Sequence, residues 1–119
     1  MAKFKIGNYN EECTCIYIAG SGTKQIIPLL KHIKASYNPC LKIGPGWVMQ
    51  SRNINKVYAV FNRLIQLTGT DLPPIPDIVP NKNEKGKDVF NNVPAIEFEL
   101  RNDGDMNLIV QTCMSEFKK

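Results

Sequence analysis

"CTCIYIAGSGTKQIIPLLKHIKA", residues 13–35, changes its hydrophobic period part-way, and that change decides the fold class. From Cys13 to Ala19, β-branched and aromatic residues run almost without a break, the pattern of a well-buried central strand. Gly20 and Gly22 then permit a tight turn. Beyond them Ile26, Ile27, Leu30 and Ile33 recur at helical spacing, with Lys24, Lys31 and Lys34 on the flanks. Pro28 is tolerated in a first turn but costs a hydrogen bond further in, so the helix either starts late or kinks there. A Gly-x-Gly loop between strand and helix invites an anion, because helix N-terminal amides attract phosphate. This loop lacks the Gly-Lys-Ser/Thr of a phosphate loop and the third glycine of a dinucleotide site, so a structural turn is the expectation.

Working outward, "KFKIGNY" reads as a strand preceding the first one. "SYNP" closes the helix, since the residue before Pro39 is biased away from helical angles. Pro45 and Gly46 suit the centre of a type II turn, and "WVMQ" is then a short strand. "RNINKVYAVFNRLIQLTG" (52–69) is the clearest helix, with Ile54, Val57, Tyr58, Phe61, Leu64 and Ile65 on one stripe. Asn53 is its expected N-cap and Gly69 its expected stop. "DLPPIPDIVP" (71–80) is extended by composition, and "NKNEKGKD" is a polar, mobile loop by composition. "AIEFELRNDGDMNLIVQTC" (95–113) reads as a hairpin turning at Asn102–Asp103–Gly104. The expectation is an α+β fold: a mostly antiparallel sheet of about five strands with two helices on one face, in the order ββαβα, Pro-rich connector, ββ. Its parts are a basic unit (1–69), a connector (70–94) and a C-terminal hairpin with tail (95–119), within one folding domain. The connector could also let the hairpin join a second copy of the chain.

The formal net charge of +4 hides an asymmetry. Residues 1–69 hold nine Lys/Arg against two acidic residues, and residues 70–119 hold six against nine, giving +7 and −3. Either the basic half meets an anionic partner, or the halves complement each other within one fold. The four cysteines show no zinc-ligand spacing, and the only histidine is His32, so no metal or cofactor is expected. No apolar run reaches a bilayer-spanning length, and the N-terminus lacks an apolar leader. The expectation is an intracellular protein of host cytoplasm or nucleus, not secreted and with no membrane partner.

A motif emerges across residues 15–66: the aromatic–Asn pair Tyr37–Asn38, then Leu41, then Gly44, Gly46, Trp47, Val48 and Met49, with Arg52 in a basic stretch and Lys56 opening the next helix. This unit resembles a small β-α-β-α domain found in proteins of large DNA viruses, marked by a Gly-x-Gly-Trp-[Ile/Val]-[Phe/Met] segment. It departs from that pattern at Ile43, where a further glycine is usual, and at Ser36, where lysine is frequent. The resemblance implies a viral setting and a fold unit, and no reaction.

Catalysis finds little support. His32 sits among lysines with no identified partner, and the carboxylates show no paired spacing, so no catalytic residue is expected. Nucleic-acid binding asks for cations that neutralise phosphate and for aromatics or amides beside them. Lys24, Lys31, Lys34, Tyr37, Asn38, Lys42, Arg52, Lys56 and Arg63 are the candidates, with Trp47 a core anchor. The alternative is a protein–protein interaction or assembly module, a homodimer or host-factor binder, using the Pro-rich connector and C-terminal hairpin.

Overall fold

Strand β1 (Ala2–Asn8) pairs antiparallel with β2 (Cys15–Ala19), setting Ile6 opposite Ile18. The computed structural model of the chain describes residues 2–9, 15–40, 44–90, 93–101 and 105–117. After β2 the chain turns through Gly20 and Gly22 into a 3-10 turn (Ser21–Ile26) and helix α1 (Ile27–His32). Gly20 has φ 114° and packs so tightly that a Cβ would sit 2.3 Å from the Lys3 carbonyl oxygen. A Cβ on Gly22 would meet the Phe4 ring at 2.6 Å, so both glycines are required by the close approach of turn to β1. Pro28 lies in the first turn of α1, where its missing N–H has no helical partner to lose.

Strands β3 (Ser36–Asn38) and β4 (Gly46–Gln50) follow, then a 3-10 turn (Ser51–Asn53) and helix α2 (Ile54–Thr68). A small hairpin, β5 (Asn81–Lys82) with β6 (Asp88–Val89), interrupts the connector before β7 (Ile96–Leu100) and helix α3 (Met106–Glu116). The main sheet is fully antiparallel in the order β3-β4-β2-β1-β7. The α+β class and five-stranded antiparallel sheet therefore stand.

Alternation gives the sheet two unlike faces. Phe4, Ile6, Ile16, Ile18, Met49 and Leu100 are buried on one, under Leu29 and Leu30 of α1, Phe61 and Leu64 of α2, and Val110 and Cys113 of α3. Phe4, Phe61 and Phe98 stand within 5.0–5.6 Å of one another, ring centre to ring centre, and tie β1, α2 and β7 together. Such aromatic pairs add roughly 0.5–1.5 kcal/mol each beyond the area they bury. Across the other face, Lys3 meets Glu99 at 3.8 Å and Lys5 meets Glu97 at 3.3 Å, each pair directly opposite in register. Part of the charge asymmetry between the halves is thus complementarity inside one fold.

The connector lies along α2. Asn62 donates from Nδ2 to the Ile75 carbonyl (2.9 Å) and accepts at Oδ1 from the Ile75 amide (2.6 Å). Asn55 forks in the same way onto Ile78, at 2.9 and 2.8 Å. Seven helical residues advance about 10.5 Å. Three residues of an extended proline-type segment advance about 9.3 Å, so the repeats match. Thr70 then anchors the connector's start, its Oγ1 accepting from the Arg101 amide beyond β7 at 3.0 Å.

Several expectations are corrected. Residues 106–116 form a third helix, not a second hairpin strand: Asp105 caps it, accepting from the Asn107 and Leu108 amides at 3.1 and 3.4 Å. Met106, Ile109, Val110 and Cys113 then fall at helical spacing toward the core. The expected turn at Asn102–Gly104 lies outside the described residues. The fifth strand is instead β3, a three-residue edge after α1. β7 pairs with this chain's own β1, and "NKNEKGKD" forms the β5–β6 hairpin around Asn83, whose Oδ1 accepts from the Lys85 and Lys87 amides at 2.9 Å each. The positive φ before β4 belongs to Gly44 (103°), with Gly46 already in the strand. Asn53 occupies the N-cap of α2 without a side-chain bond, whereas Gly69 ends that helix in the left-handed conformation as expected.

Candidate nucleic-acid interface

The register of β3 on β4 places Tyr37 directly across from Trp47. Their rings meet edge-to-face, 5.4 Å between centres and 61° apart. Trp47 is 6% exposed and belongs to the core, whereas Tyr37, on the edge strand, is 55% exposed. Lys24, Ile27 and Lys31 come from the 3-10 turn and α1 on the opposite wall, and Gly44 and Pro45 close one end. Together they enclose a groove of about 840 Å³, apolar within and lysine-rimmed. Trp47 was expected as a core anchor and is one; it also forms the floor of this groove.

A second cavity, of about 440 Å³, lies beside the preceding residue of the same edge strand. Ser36, Gln50, Asn53, Lys34 and Arg52 line it. Lys34 gets there through an unusual backbone: φ is 68°, positive for a non-glycine residue. It closes α1 in a Schellman motif, with the Ala35 amide donating to the Leu30 carbonyl (3.0 Å) and the Lys34 amide to the Lys31 carbonyl (3.1 Å). Glycine is usual at that left-handed position, and its absence here hid the motif in the sequence.

The candidates divide. Lys24, Lys31 and Tyr37 gather at the groove, and Lys34 and Arg52 at the second cavity. Asn38 ends β3 with its Oδ1 accepting from the Cys40 amide at 2.9 Å, which folds the next turn. Lys42 lies outside the described residues. Lys56 is half-buried on α2, away from both cavities. Arg63 is committed elsewhere: its Nε donates to both Glu116 carboxylate oxygens at 2.9 and 3.1 Å, and its Nη1 donates to Gln66 at 3.1 Å. The hydrogen bond from Arg63 holds the Glu116 carboxyl below its ordinary value. Lys24, Lys31, Lys34, Arg52 and Lys56 make no ion pair among the described residues.

Other titratable groups are engaged structurally. His32 donates from Nε2 to the Phe117 carbonyl at 3.1 Å, tying the end of α1 to the end of α3. Burial pushes the Cys113 thiol up to about 11, so it stays protonated near neutrality. Among the described residues no group of three or more His, Cys, Asp or Glu could hold a metal ion, and no helix is long and apolar enough to cross a membrane. No family model, curated protein or solved structure matches the chain.

Proposed function

We propose that this protein binds nucleic acid, without turnover, through the edge formed by α1, β3 and β4. The observation that carries the reading is the groove itself, where Lys24 and Lys31, without an ion pair among the described residues, flank an exposed aromatic ring. Lys34 and Arg52 extend the positive rim around the same edge strand. Cations free of carboxylate partners can release counterions from phosphates, which is the main source of affinity in such interfaces. The engaged state of His32 and the protonated, buried thiol of Cys113 favour binding over catalysis. An assembly role for the connector and C-terminal segment has less to draw on, because Asn55, Asn62 and β1 already hold those segments.

The test is the salt dependence of affinity, read by anisotropy of a labelled oligonucleotide. Four phosphate contacts predict a log–log slope of roughly −3 on a single strand, at about −0.7 per contact. Alanine at Lys24 and Lys31 together should remove about 1.4 from that slope. An affinity that is flat between low and physiological salt overturns the reading.

A further inference from the structure

We infer that the ligand is single-stranded, lying along the β3 edge with a base on Tyr37 and backbone phosphates at Lys24 and Lys31 on one side and Lys34 and Arg52 on the other. This rests on the nucleic-acid reading above and narrows it. Three observations carry it.

First, among the described residues no helix presents a row of free amides and arginines for a duplex groove, Lys56 being the one cation of α2 without an ion pair. A recognition helix reads base edges with amides and arginines presented outward. On α2 the Asn55 and Asn62 amides are bonded at both ends to Ile78 and Ile75, and Arg63 is bonded to Glu116. Helix α1 has six residues, and α3 carries no lysine or arginine.

Second, the one exposed ring at the site suits an unpaired base. Base faces inside a duplex are covered by their neighbours, and only a splayed strand can stack on a side chain. Contact with Trp47 orients Tyr37 while leaving it 55% exposed.

Third, the cations sit at two cavities that share one edge strand. Tyr37 lines the first and Ser36, its neighbour, lines the second. Consecutive strand residues face opposite sides of a sheet, so the two cation pairs flank opposite faces of β3, and a bound strand reaches both by passing over that edge. Lys34 keeps a left-handed conformation that costs a lysine energy and a glycine none, and it lines the cavity with Arg52. The left-handed turn itself closes α1, and a lysine there in place of glycine adds a cation to those around the second cavity.

The experiment compares a fluorescein-labelled oligothymidylate with a duplex of equal length, following anisotropy and, in parallel, the emission of Trp47, the only tryptophan. The single strand should bind at least about tenfold more tightly, with Trp47 emission changing as the groove fills. Tyr37→Ala should weaken it by roughly 5- to 150-fold, and Tyr37→Phe should restore it. Because Tyr37 is exposed, circular dichroism of both variants should match the parent. Equal or tighter duplex binding that still requires the lysines overturns this inference and leaves the nucleic-acid reading standing. Saturated anisotropy with unchanged Trp47 emission places the strand elsewhere and likewise overturns it. Binding of neither probe at low salt overturns both.

Discussion

Along the β3–β4 edge, Lys24, Lys31, Lys34 and Arg52 are exposed without an ion pair among the described residues, whereas on the outward side of α2 the polar groups of Asn55, Asn62 and Arg63 are bonded to the connector and to α3. In composition the two regions look alike, each a run of amides and cations beside an apolar stripe. What separates them is whether a distant segment of the same chain satisfies those groups. Asn55 and Asn62 act as a latch for backbone that would otherwise lack partners, since the proline-rich connector pairs with no strand. Around Tyr37 no described segment of the chain plays that part for the lysines.

The largest effect should come from breaking the latch. Asn55→Ala with Asn62→Ala removes four hydrogen bonds, each worth about 1 kcal/mol. Alanine regains at most ~0.7 kcal/mol of helix propensity per site, so the double variant should lose about 2–3 kcal/mol. Denaturant unfolding reads this as a lower midpoint, and limited proteolysis should cut first within residues 71–80. Affinity for an oligonucleotide should hold under conditions where the variant remains folded. A loss of stability below ~0.5 kcal/mol would show that the connector is held by its isoleucines and not by the amides.

Much of this contrast was invisible in the sequence for reasons that differ by element. β1, β2, α2 and the Gly69 stop were legible because periodicity and capping are local. Helix α3 reads as a strand in the sequence because Leu108–Ile109–Val110 is an apolar run with two β-branched members after Asn102–Asp103–Gly104, and the decisive signal is the cap at Asp105. β3 has three residues, too few for alternation to register. At the site, the basic and aromatic character of Lys24, Lys31 and Tyr37 could be read directly. That Arg63 and Asn62 were occupied could not, because their partners lie 53 and 13 residues away.

Lys34 sharpens the comparison from the side of the edge. Lys34→Gly should relieve the left-handed penalty on a side chain, about 1–2 kcal/mol, offset by the greater freedom of glycine in the unfolded chain. A net gain of about 1 kcal/mol is expected. The same variant should bind oligonucleotide more weakly, with the salt slope reduced by about 0.7. Stability and binding moving in opposite directions would mark Lys34 as a functional residue kept at a structural cost. If stability rises with affinity and slope unchanged, Lys34 takes no part in the interface.

The smallest effect belongs to Arg63 and Glu116, and its value is that pH isolates it. Hydrogen bonding from Arg63 lowers the Glu116 carboxyl from its ordinary value in the folded chain. A carboxyl with a depressed folded-state value stabilises the fold fully above its unfolded value, and that contribution is lost as the pH falls through the folded value. The pair is exposed on α2 and α3, so screening keeps its contribution small. Unfolding midpoints of the parent and of Glu116→Gln should therefore differ near neutral pH and converge in acid, below the ordinary glutamate range. Oligonucleotide binding near neutrality should be the same in both, because this arginine is engaged within the fold and not at the edge. A Glu116→Gln variant that binds nucleic acid more tightly would show the reverse: freeing Arg63 would have added a phosphate contact, and the face of α2 would belong to the interface after all.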